Sequence, residues 1–237
     1  GSEFNTIRPF QWGDRLKRIH WARSLRTNEL HVTSSFADQD THVAILVDAH
    51  YDLGRSVAKE GASSSLDYSV RAAAAVAEHF LHQGDRVSLQ VLSARTPLTL
   101  PAGSGRHHSQ RILQTLSLVQ AQPQDEIDPR RVRRGLGPGT LVVMISALVA
   151  PAPLAQAALL SRSGLQVVVI DALVDDVQPP GEQDDIARLG WRIRLLEREA
   201  ELRRVQASGV PVVPWRGPGS LDQVLRSLAR HRRGAAR

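Results

Sequence analysis

Cysteine is absent from the 237-residue chain, which excludes disulfide scaffolds, thiolate zinc sites and cysteine nucleophiles. Aromatic residues make up only 4% of the chain, and this scarcity argues against the stacking platforms that bind single-stranded nucleic acid. Long hydrophobic runs are also missing, because Leu141–Ile145 and Val167–Ile170 are strand-sized and far shorter than the ~20 residues of a membrane-spanning helix. No signal peptide opens the chain, and Gly1-Ser2-Glu3-Phe4 is typical of an expression-vector remnant, so we expect a fragment of a longer protein.

The remaining composition is ordinary for a globular protein. Apolar residues account for 42% and charged residues for 23% of the chain, and its length suits one large domain or a domain with an appendage. Lysine and arginine outnumber aspartate and glutamate by 30 to 24, a net charge of +6. The densest basic runs, Arg130–Arg134 and Arg226–Arg237, are predicted to be solvated charge, and nucleic acid is not expected as a partner.

Strand and helix patterns alternate through the first half of the main region. Val43–Val47 is a short β-branched run that predicts a buried strand ending at Asp48. Apolar residues then recur at helical spacing from 66 to 81, after N-capping serines at 63–65 and before Gly84 as a C-cap. The next predicted elements are a strand at Val87–Leu92, an edge strand at Pro97–Leu100 and a helix at Arg111–Val119.

The second half repeats this rhythm. Its predicted elements are strands at Leu141–Ile145, Val167–Ile170 and Val210–Val213, a short helix at Pro153–Leu160, a long helix at Asp184–Ala207 closed by Gly209, and a last helix at Leu221–Leu228. In the long helix, apolar residues at 186, 189, 193, 196, 202 and 205 predict an amphipathic helix. Its polar face is either a partner-binding surface or, by default, an exposed face with i,i+4 ion pairs, and it is predicted to carry Arg188, Arg192, Glu197, Arg198, Glu199, Arg203 and Arg204.

Alternating helices and continuous apolar strands predict an α/β fold, a doubly wound, mostly parallel sheet with helices on both faces. Ligands of such sheets bind at the carboxyl ends of the strands, where the strand order reverses, and Asp48 and Ser146 are expected there. Residues 1–40 do not follow the alternation, and only Leu30–Thr33 has a strand pattern. We therefore predict a loop-and-hairpin appendage at 5–40, a main domain at 41–230 and a basic tail at 231–237.

The appendage carries an unusual motif. Its segment Phe10–Trp21 has the sequence FQWGDRLKRIHW, and SLRT at 24–27 and LHV at 30–32 follow. The combination resembles the signature of a bacterial family, domain of unknown function fifty-eight. In that family a Gly-Asp pair, an Arg-x-Ile-x-Trp element and an Ala-Arg-Thr-x-x-Leu element precede a von Willebrand factor A-like domain. The resemblance extends from Phe10 to Arg230, because the predicted order of strands and helices is also that domain's order.

This resemblance implies a von Willebrand factor A-like, Rossmann-like fold and no established enzymatic activity. Full-length relatives usually carry two membrane helices and are typically encoded beside MoxR-type AAA+ ATPases, with a role in assembling or remodelling protein complexes. We therefore expect a non-catalytic protein-interaction module on the cytoplasmic side of a bacterial membrane, with such an ATPase or its client as partner. The motif residues Asp14, Arg18, Trp21 and Arg26 form either a docking surface or a network that orders the appendage.

The same resemblance raises the question of a divalent metal. Von Willebrand A domains often bind Mg²⁺ through Asp-x-Ser-x-Ser after the first strand, a later threonine, and an aspartate after the fourth strand. Here the first element is DAHYD at 48–52, SA at 146–147 replaces the later aspartate by alanine, and the threonine has no counterpart. We expect a degenerate site and no required cofactor. Its candidate ligands are Asp48, Asp52 and Ser146, beside His50, which would favour Zn²⁺ or Mn²⁺.

Two alternative functions use the same cleft. In one, Asp48 and Asp52 hold a metal ion that captures an acidic residue of a partner; in the other, the metal serves a hydrolase. A serine hydrolase is not predicted, because Ser146 lacks a Gly-x-Ser-x-Gly elbow and no base can be assigned to it. His107-His108 follows a short Gly-Ser-Gly turn that lacks the ending of a phosphate-binding loop, so we assign it to an ordinary loop.

Overall fold

The chain divides into two compact units, Gly1–Thr41 and His42–Arg237. The computed structural model describes residues 5–10, 19–27, 29–35, 42–54, 64–92, 98–122, 132–133, 135–174, 177, 184–220 and 222–226. The motif residues Asp14 and Arg18, the first four residues and the basic tail therefore lie outside the described residues. Among the described helices, none is long and apolar enough to cross a membrane.

The first unit contains an antiparallel strand pair and a short helix. Strand β1 (Asn5–Pro9) pairs with β2 (His31–Ser35), and α1 (Trp21–Thr27) lies between them in the sequence. The Ser24 hydroxyl joins α1 to β2, because it accepts a hydrogen bond from the backbone N–H of His31 at 2.9 Å. Helix α1 was not predicted, since Ser24 is its one buried residue and the segment has no apolar periodicity.

The second unit is built on a six-stranded sheet in the order β5-β4-β3-β6-β7-β8. Neighbouring strands are parallel except for β4 and β5, which pair antiparallel at one edge. This arrangement confirms the predicted α/β fold with a mostly parallel sheet. The strands are β3 (His42–Asp48), β4 (Arg86–Leu92), β5 (Thr99–Gly103), β6 (Leu141–Ser146), β7 (Gln166–Asp171) and β8 (Val212–Pro214).

The first helix of the second unit has the caps that the sequence signals predicted. Ser64 begins the first helix with a capping box, because its hydroxyl accepts from the Asp67 N–H at 3.1 Å while the Asp67 carboxylate accepts from the Ser64 N–H at 3.0 Å. Gly84, at φ 84°, ends that helix in the left-handed conformation. The helices are α2 (Ser65–Gln83), α3 (Arg106–Ser117), α4 (Pro151–Arg162) and α5 (Asp185–Ala207), followed by a 3₁₀ turn at Pro218–Ser220 and helical residues at 222–226.

The core lies on both faces of the sheet. Successive side chains of a strand point to opposite faces, so Val43, Ile45 and Val47 of β3 join a cluster that includes α2. The alternate residues Ala44 and Leu46 join a second cluster that includes α4. All six residues of β6 are buried, which explains why its sequence is a continuous apolar run ending in one serine.

Several predicted boundaries and one predicted face differ from the structure. Helix α3 begins at Arg106, five residues before the prediction, because its first turn is polar and gave no periodic signal. Strand β5 lies at Thr99–Gly103 and β8 at Val212–Pro214, and each begins two residues later than expected. Helix α4 extends two residues beyond the prediction at each end. In α5, Leu202 and Val205 pack on the core as predicted, together with Trp191 and Leu195. The apolar residues at 186, 189, 193 and 196 are exposed instead, because the helix has two apolar stripes and the sheet covers the less regular one.

Candidate functional site

The carboxyl ends of three adjacent strands bring polar side chains to one edge of the sheet. Strand β6 lies between β3 and β7, and the register pairs Ser146 with Asp171 and Val47 with Ile145. The strand order reverses between β3 and β6, because the chain continues from β3 to β4 on one side and from β6 to β7 on the other. The structure therefore places Asp48 and Ser146 together at the switch point where ligands of doubly wound sheets bind.

Each of these three strands ends in a side chain that holds the following turn. The side-chain oxygen accepts a hydrogen bond from the backbone N–H two residues later, which fixes the direction of the chain as it leaves the sheet. In the turn after β6, the residue that donates this N–H is Leu148, which has a left-handed backbone (φ 58°) and a fully buried side chain. The pairs are Asp48 with His50 (3.1 Å), Ser146 with Leu148 (2.9 Å) and Asp171 with Leu173 (3.0 Å).

Both oxygens of the Asp48 carboxylate are engaged by neighbouring side chains. The Ser146 hydroxyl donates to Oδ2 at 2.5 Å, and Nδ1 of His50 donates to Oδ1. All three residues are buried. Because an ionised carboxylate can only accept, this contact assigns a proton to Nδ1 of His50 and directs the Ser146 hydroxyl hydrogen to Asp48. The carboxylate thus stands between serine and histidine, whereas nucleophilic catalysis by serine needs the imidazole in that middle position.

Asp52 lies in the loop between β3 and α2. Its Oδ1 accepts from the backbone N–H of Leu66 at 3.4 Å, near the N-terminus of α2. The same loop is held to α2 by Ser65, whose hydroxyl accepts from the Leu53 N–H at 2.9 Å and whose N–H donates to the Leu53 carbonyl at 2.7 Å. The Asp52 carboxylate therefore accepts from a backbone N–H in the first turn of α2, where the helix dipole favours negative charge.

A buried arginine, which the sequence analysis placed on an exposed face, occupies the next strand end. Nη2 of Arg198 donates to Oδ1 of Asp171 at 2.5 Å, and its Nε donates to the carbonyl of Ala147 at 3.1 Å. Both charged residues are 8% exposed. Ala147 stands where the von Willebrand A pattern has an aspartate, so a guanidinium, and not another carboxylate, lies at this position. The burial of Arg198 could have been predicted from its spacing, because residues 191, 195, 198, 202 and 205 lie on one side of α5 and that side faces the core.

Arg194, one turn earlier on α5, is fixed to the same loop. Its Nε donates to the Val149 carbonyl at 2.5 Å, and its two Nη atoms donate to the Glu201 carboxylate at 3.2 and 3.0 Å. The hydrogen bond to Glu201 raises the pKa of Arg194. Two arginines of α5 therefore hold the loop that follows β6, and each is paired with a carboxylate, Arg194 with Glu201 and Arg198 with Asp171.

The donor set of this edge does not suit a divalent cation as it is arranged. Mg²⁺ requires several oxygen ligands in octahedral geometry, but the Asp48 oxygens already accept hydrogen bonds from Ser146 and His50. The carboxylate of the adjacent strand end, Asp171, is already paired with the Arg198 guanidinium. Within the described ranges, no group of three or more histidine, aspartate or glutamate side chains is arranged to hold a metal.

The remaining predicted site residues lie elsewhere. Trp21 and Arg26 are exposed on α1, with 61% of the Trp21 surface accessible. His107 and His108 lie in the first turn of α3, so their assignment to a loop was wrong. His107 is exposed, whereas His108 is buried and its Nε2 contacts the Val87 carbonyl at 2.7 Å. A Cβ at Gly103 would lie 2.7 Å from that imidazole ring. His108 is therefore a packing residue that joins α3 to β4 and β5.

The sequence is similar to proteins of one family. Residues 6–182 match the sequence profile described as Protein of unknown function DUF58. The uncharacterized proteins Rv1480 of Mycobacterium tuberculosis (strain H37Rv) and Mb1516 of Mycobacterium bovis are each 31% identical to the chain over 177 residues. These alignments cover 73% of this chain and 48% of each relative. The chain thus spans about half the length of the curated relatives it matches.

Two pilus proteins are among the solved structures that match the chain. A mutant of the PilB minor pilin from Streptococcus sanguinis has a TM-score of 0.55 and 11% identity, covering 87% of this chain and 64% of that one. The pilus adhesin SpaC from Lactobacillus rhamnosus GG has a TM-score of 0.48 and 12% identity, covering 84% and 30%. At 11% identity, the likeness to PilB shows a shared α/β fold alone.

Proposed function

Given that the chain belongs to the DUF58 family, we propose that its second unit is a von Willebrand factor A-like domain that serves as a non-catalytic protein-interaction module. The parent protein is anchored in a bacterial membrane with this region on the cytoplasmic side. Its partner is a MoxR-type AAA+ ATPase or a client of that ATPase, and the pair assembles or remodels protein complexes. The mostly parallel sheet and the N-terminal motif support this proposal, and the metal-dependent adhesion site is degenerate.

The state of Asp48 is the observation that carries the proposal. A metal-dependent adhesion domain needs this carboxylate to face a cation directly or through water. Here its two oxygens accept hydrogen bonds from buried donors on Ser146 and His50. Direct ligation of a metal through Oδ1 would displace a buried donor, because that oxygen already accepts from both the backbone N–H and Nδ1 of His50. A buried donor left without its partner costs about 1–3 kcal/mol. The hydrogen-bonded state therefore supports recognition that does not pass through a metal.

The order of the three side chains also supports a role without catalysis. The Ser146 hydroxyl donates to a carboxylate and accepts from the Leu148 N–H, so its proton is not directed to a histidine base. Ser146 is completely buried, and His50 is 4% exposed. A nucleophile and its base must both reach a substrate atom, and this burial argues against that use.

Partner binding by metal-free protein tests the proposal. Biolayer interferometry of the purified MoxR-type ATPase against wild-type chain and Asp48→Asn, with and without EDTA, is expected to give dissociation constants within about twofold of each other. Asp222→Asn, a substitution of an exposed aspartate, is the matched control, and calorimetry of the chelator-stripped chain with Mg²⁺, Mn²⁺ and Zn²⁺ is expected to show no stoichiometric heat.

Each other outcome selects a different function. Binding that is abolished by EDTA and by Asp48→Asn, together with stoichiometric metal heat, would establish the adhesion alternative. Metal-dependent turnover of a generic phosphoester would establish the hydrolase. Wild-type chain that does not bind the ATPase under any of these conditions would refute the partnership. Circular dichroism of each variant separates loss of binding from loss of fold.

A further inference from the structure

Helix α5 presents an apolar stripe to solvent. Its four members are exposed large aliphatic residues: Ile186 (80%), Leu189 (58%), Ile193 (49%) and Leu196 (65%). Their spacing of three, four and three residues keeps them on one side of the helix. Single exposed aliphatic residues are normal on a protein surface, but a continuous row along one helix is typical of an interaction surface.

The identity of each residue in the stripe matches a parallel two-stranded coiled coil. In heptad notation, Ile186 and Ile193 occupy a positions, and Leu189 and Leu196 occupy d positions. Isoleucine at a with leucine at d favours two parallel strands over trimers and tetramers. Arg203 falls at the next d position, so the apolar seam is limited to residues 186–196.

The side of α5 that packs on its own domain lies opposite this seam. Trp191 and Arg198 occupy f positions, and Leu195 and Leu202 occupy c positions. These residues pack on the core clusters or, for Arg198, form the buried ion pair with Asp171. Because f and c positions point away from a and d, a partner helix on the seam does not compete with the domain for space.

The charges beside the seam select the partner and its direction. In a parallel pair each g position faces the e position five residues later on the other helix. Arg192 (g) would then face Glu197 of a second copy, and Glu199 (g) would face Arg204 of a second copy. All four residues are exposed, and both contacts join opposite charges. An antiparallel pair centred on the seam would instead bring Arg192 against Arg192 of the second copy.

From these observations we propose that α5 is a dimerisation helix, and that its seam is covered by α5 of a second copy of this chain, parallel and in register. The interface is isologous, so each of the two g–e ion pairs forms twice. This inference is independent of the site at the strand ends and adds a homodimer to the proposed function. The second copy fits because the same sequence supplies both the Ile/Leu seam and the complementary charges.

Sedimentation velocity of the full chain over a wide concentration range tests the dimer. Ile193→Glu is expected to weaken association by about 30-fold or more, because it places two buried carboxylates face to face at the centre of the seam. Leu159→Glu is the matched control, since Leu159 of α4 is 50% exposed and lies outside the seam. Wild-type chain that is monomeric throughout, or a dimer that Ile193→Glu leaves intact, would overturn the proposal; circular dichroism verifies the fold of both variants.

Cysteine cross-linking tests direction and register, and the absence of native cysteine makes the result unambiguous. A disulfide requires Cα atoms within about 7 Å. In a parallel, in-register pair, Ile186→Cys and Leu196→Cys each form a disulfide with their own copy. In an antiparallel pair, only a mixture of the two variants cross-links, and this result would contradict the proposed geometry.

A comparison of Gly190→Lys with Gly190→Glu is a second test of direction. Residue 190 (e) faces Asp185 of the second copy in the parallel pair, so the lysine variant is expected to form a tighter dimer than the glutamate variant.

Discussion

Asp48 and Asp171 end strands on either side of β6, and the two carboxylates begin from the same local structure. Each follows a buried apolar strand, each is 8% exposed, and each accepts a hydrogen bond from the backbone N–H two residues later. Their remaining partners differ. Asp48 meets a hydroxyl and an imidazole, whereas Asp171 meets the guanidinium of Arg198.

Two aspartates with the same local backbone structure therefore differ in their side-chain partners, and part of that difference comes from residues far away in the sequence. Ser146 lies 98 residues after Asp48 in the sequence, and Arg198 lies 27 residues after Asp171. The Asp171 pair balances its charge inside the domain and fastens α5 to the sheet, which is a structural task. The hydrogen bonds of Asp48 come instead from a hydroxyl, an imidazole and a backbone N–H, and they join the ends of β3 and β6.

The largest change in stability is expected when the charge partner of Asp171, Arg198, is removed. Arg198→Met is expected to lower the free energy of unfolding by about 3–5 kcal/mol, because it leaves a buried carboxylate without its cation. Urea denaturation measures this loss. Arg203→Met, at an exposed arginine that pairs with Glu199 at 3.4 Å, is the control and is expected to cost below about 1 kcal/mol. Equal losses for the two variants would show that the Asp171–Arg198 pair is not a structural clamp.

A smaller loss is expected in the Asp48 cluster. Ser146→Ala removes the donor to Asp48 and the acceptor of the Leu148 N–H, so we expect a cost of about 1–3 kcal/mol in urea denaturation. Combining it with Asp48→Asn in a double-mutant cycle is expected to give a coupling of about 0.5–3 kcal/mol. Ser117→Ala, at an exposed serine that donates to the Gln114 carbonyl, serves as the control. Strictly additive single losses would contradict the close contact between Asp48 and Ser146.

The sequence predicted the elements that are determined locally. A continuous apolar run such as Leu141–Ile145 predicts a strand that is buried on both faces. Ser64 and Gly84 predict the two ends of a helix, because a serine hydroxyl can cap the first N–H groups and glycine adopts the left-handed conformation at the end. The position of Asp48 and Ser146 at one sheet edge followed from topology alone. The partners could not be predicted in this way. Arg198 belongs to a helix with two apolar stripes, and only the packing of α5 against the sheet decides which stripe, and which arginine, is buried.

The smallest change in the free energy of unfolding is expected at the amino end of β3, the end of the strand opposite Asp48. His42 contacts Ser88 Oγ at 2.8 Å and Thr140 Oγ1 at 3.2 Å, and burial, with a smaller contribution from Arg86, lowers the pKa of His42. As the pH falls, the unfolded chain therefore binds a proton at this histidine near pH 6.5, before the folded chain does. The stability contributed by neutral His42 is complete above that pH and declines as the pH falls towards the lowered pKa.

His42→Gln keeps polar contacts without titrating, and it is expected to flatten the fall in unfolding free energy between about pH 7.5 and 5.5 by less than about 1 kcal/mol. His82→Gln, at an exposed histidine of α2, is the control. An unchanged slope in His42→Gln would show that the pH response of the domain arises elsewhere.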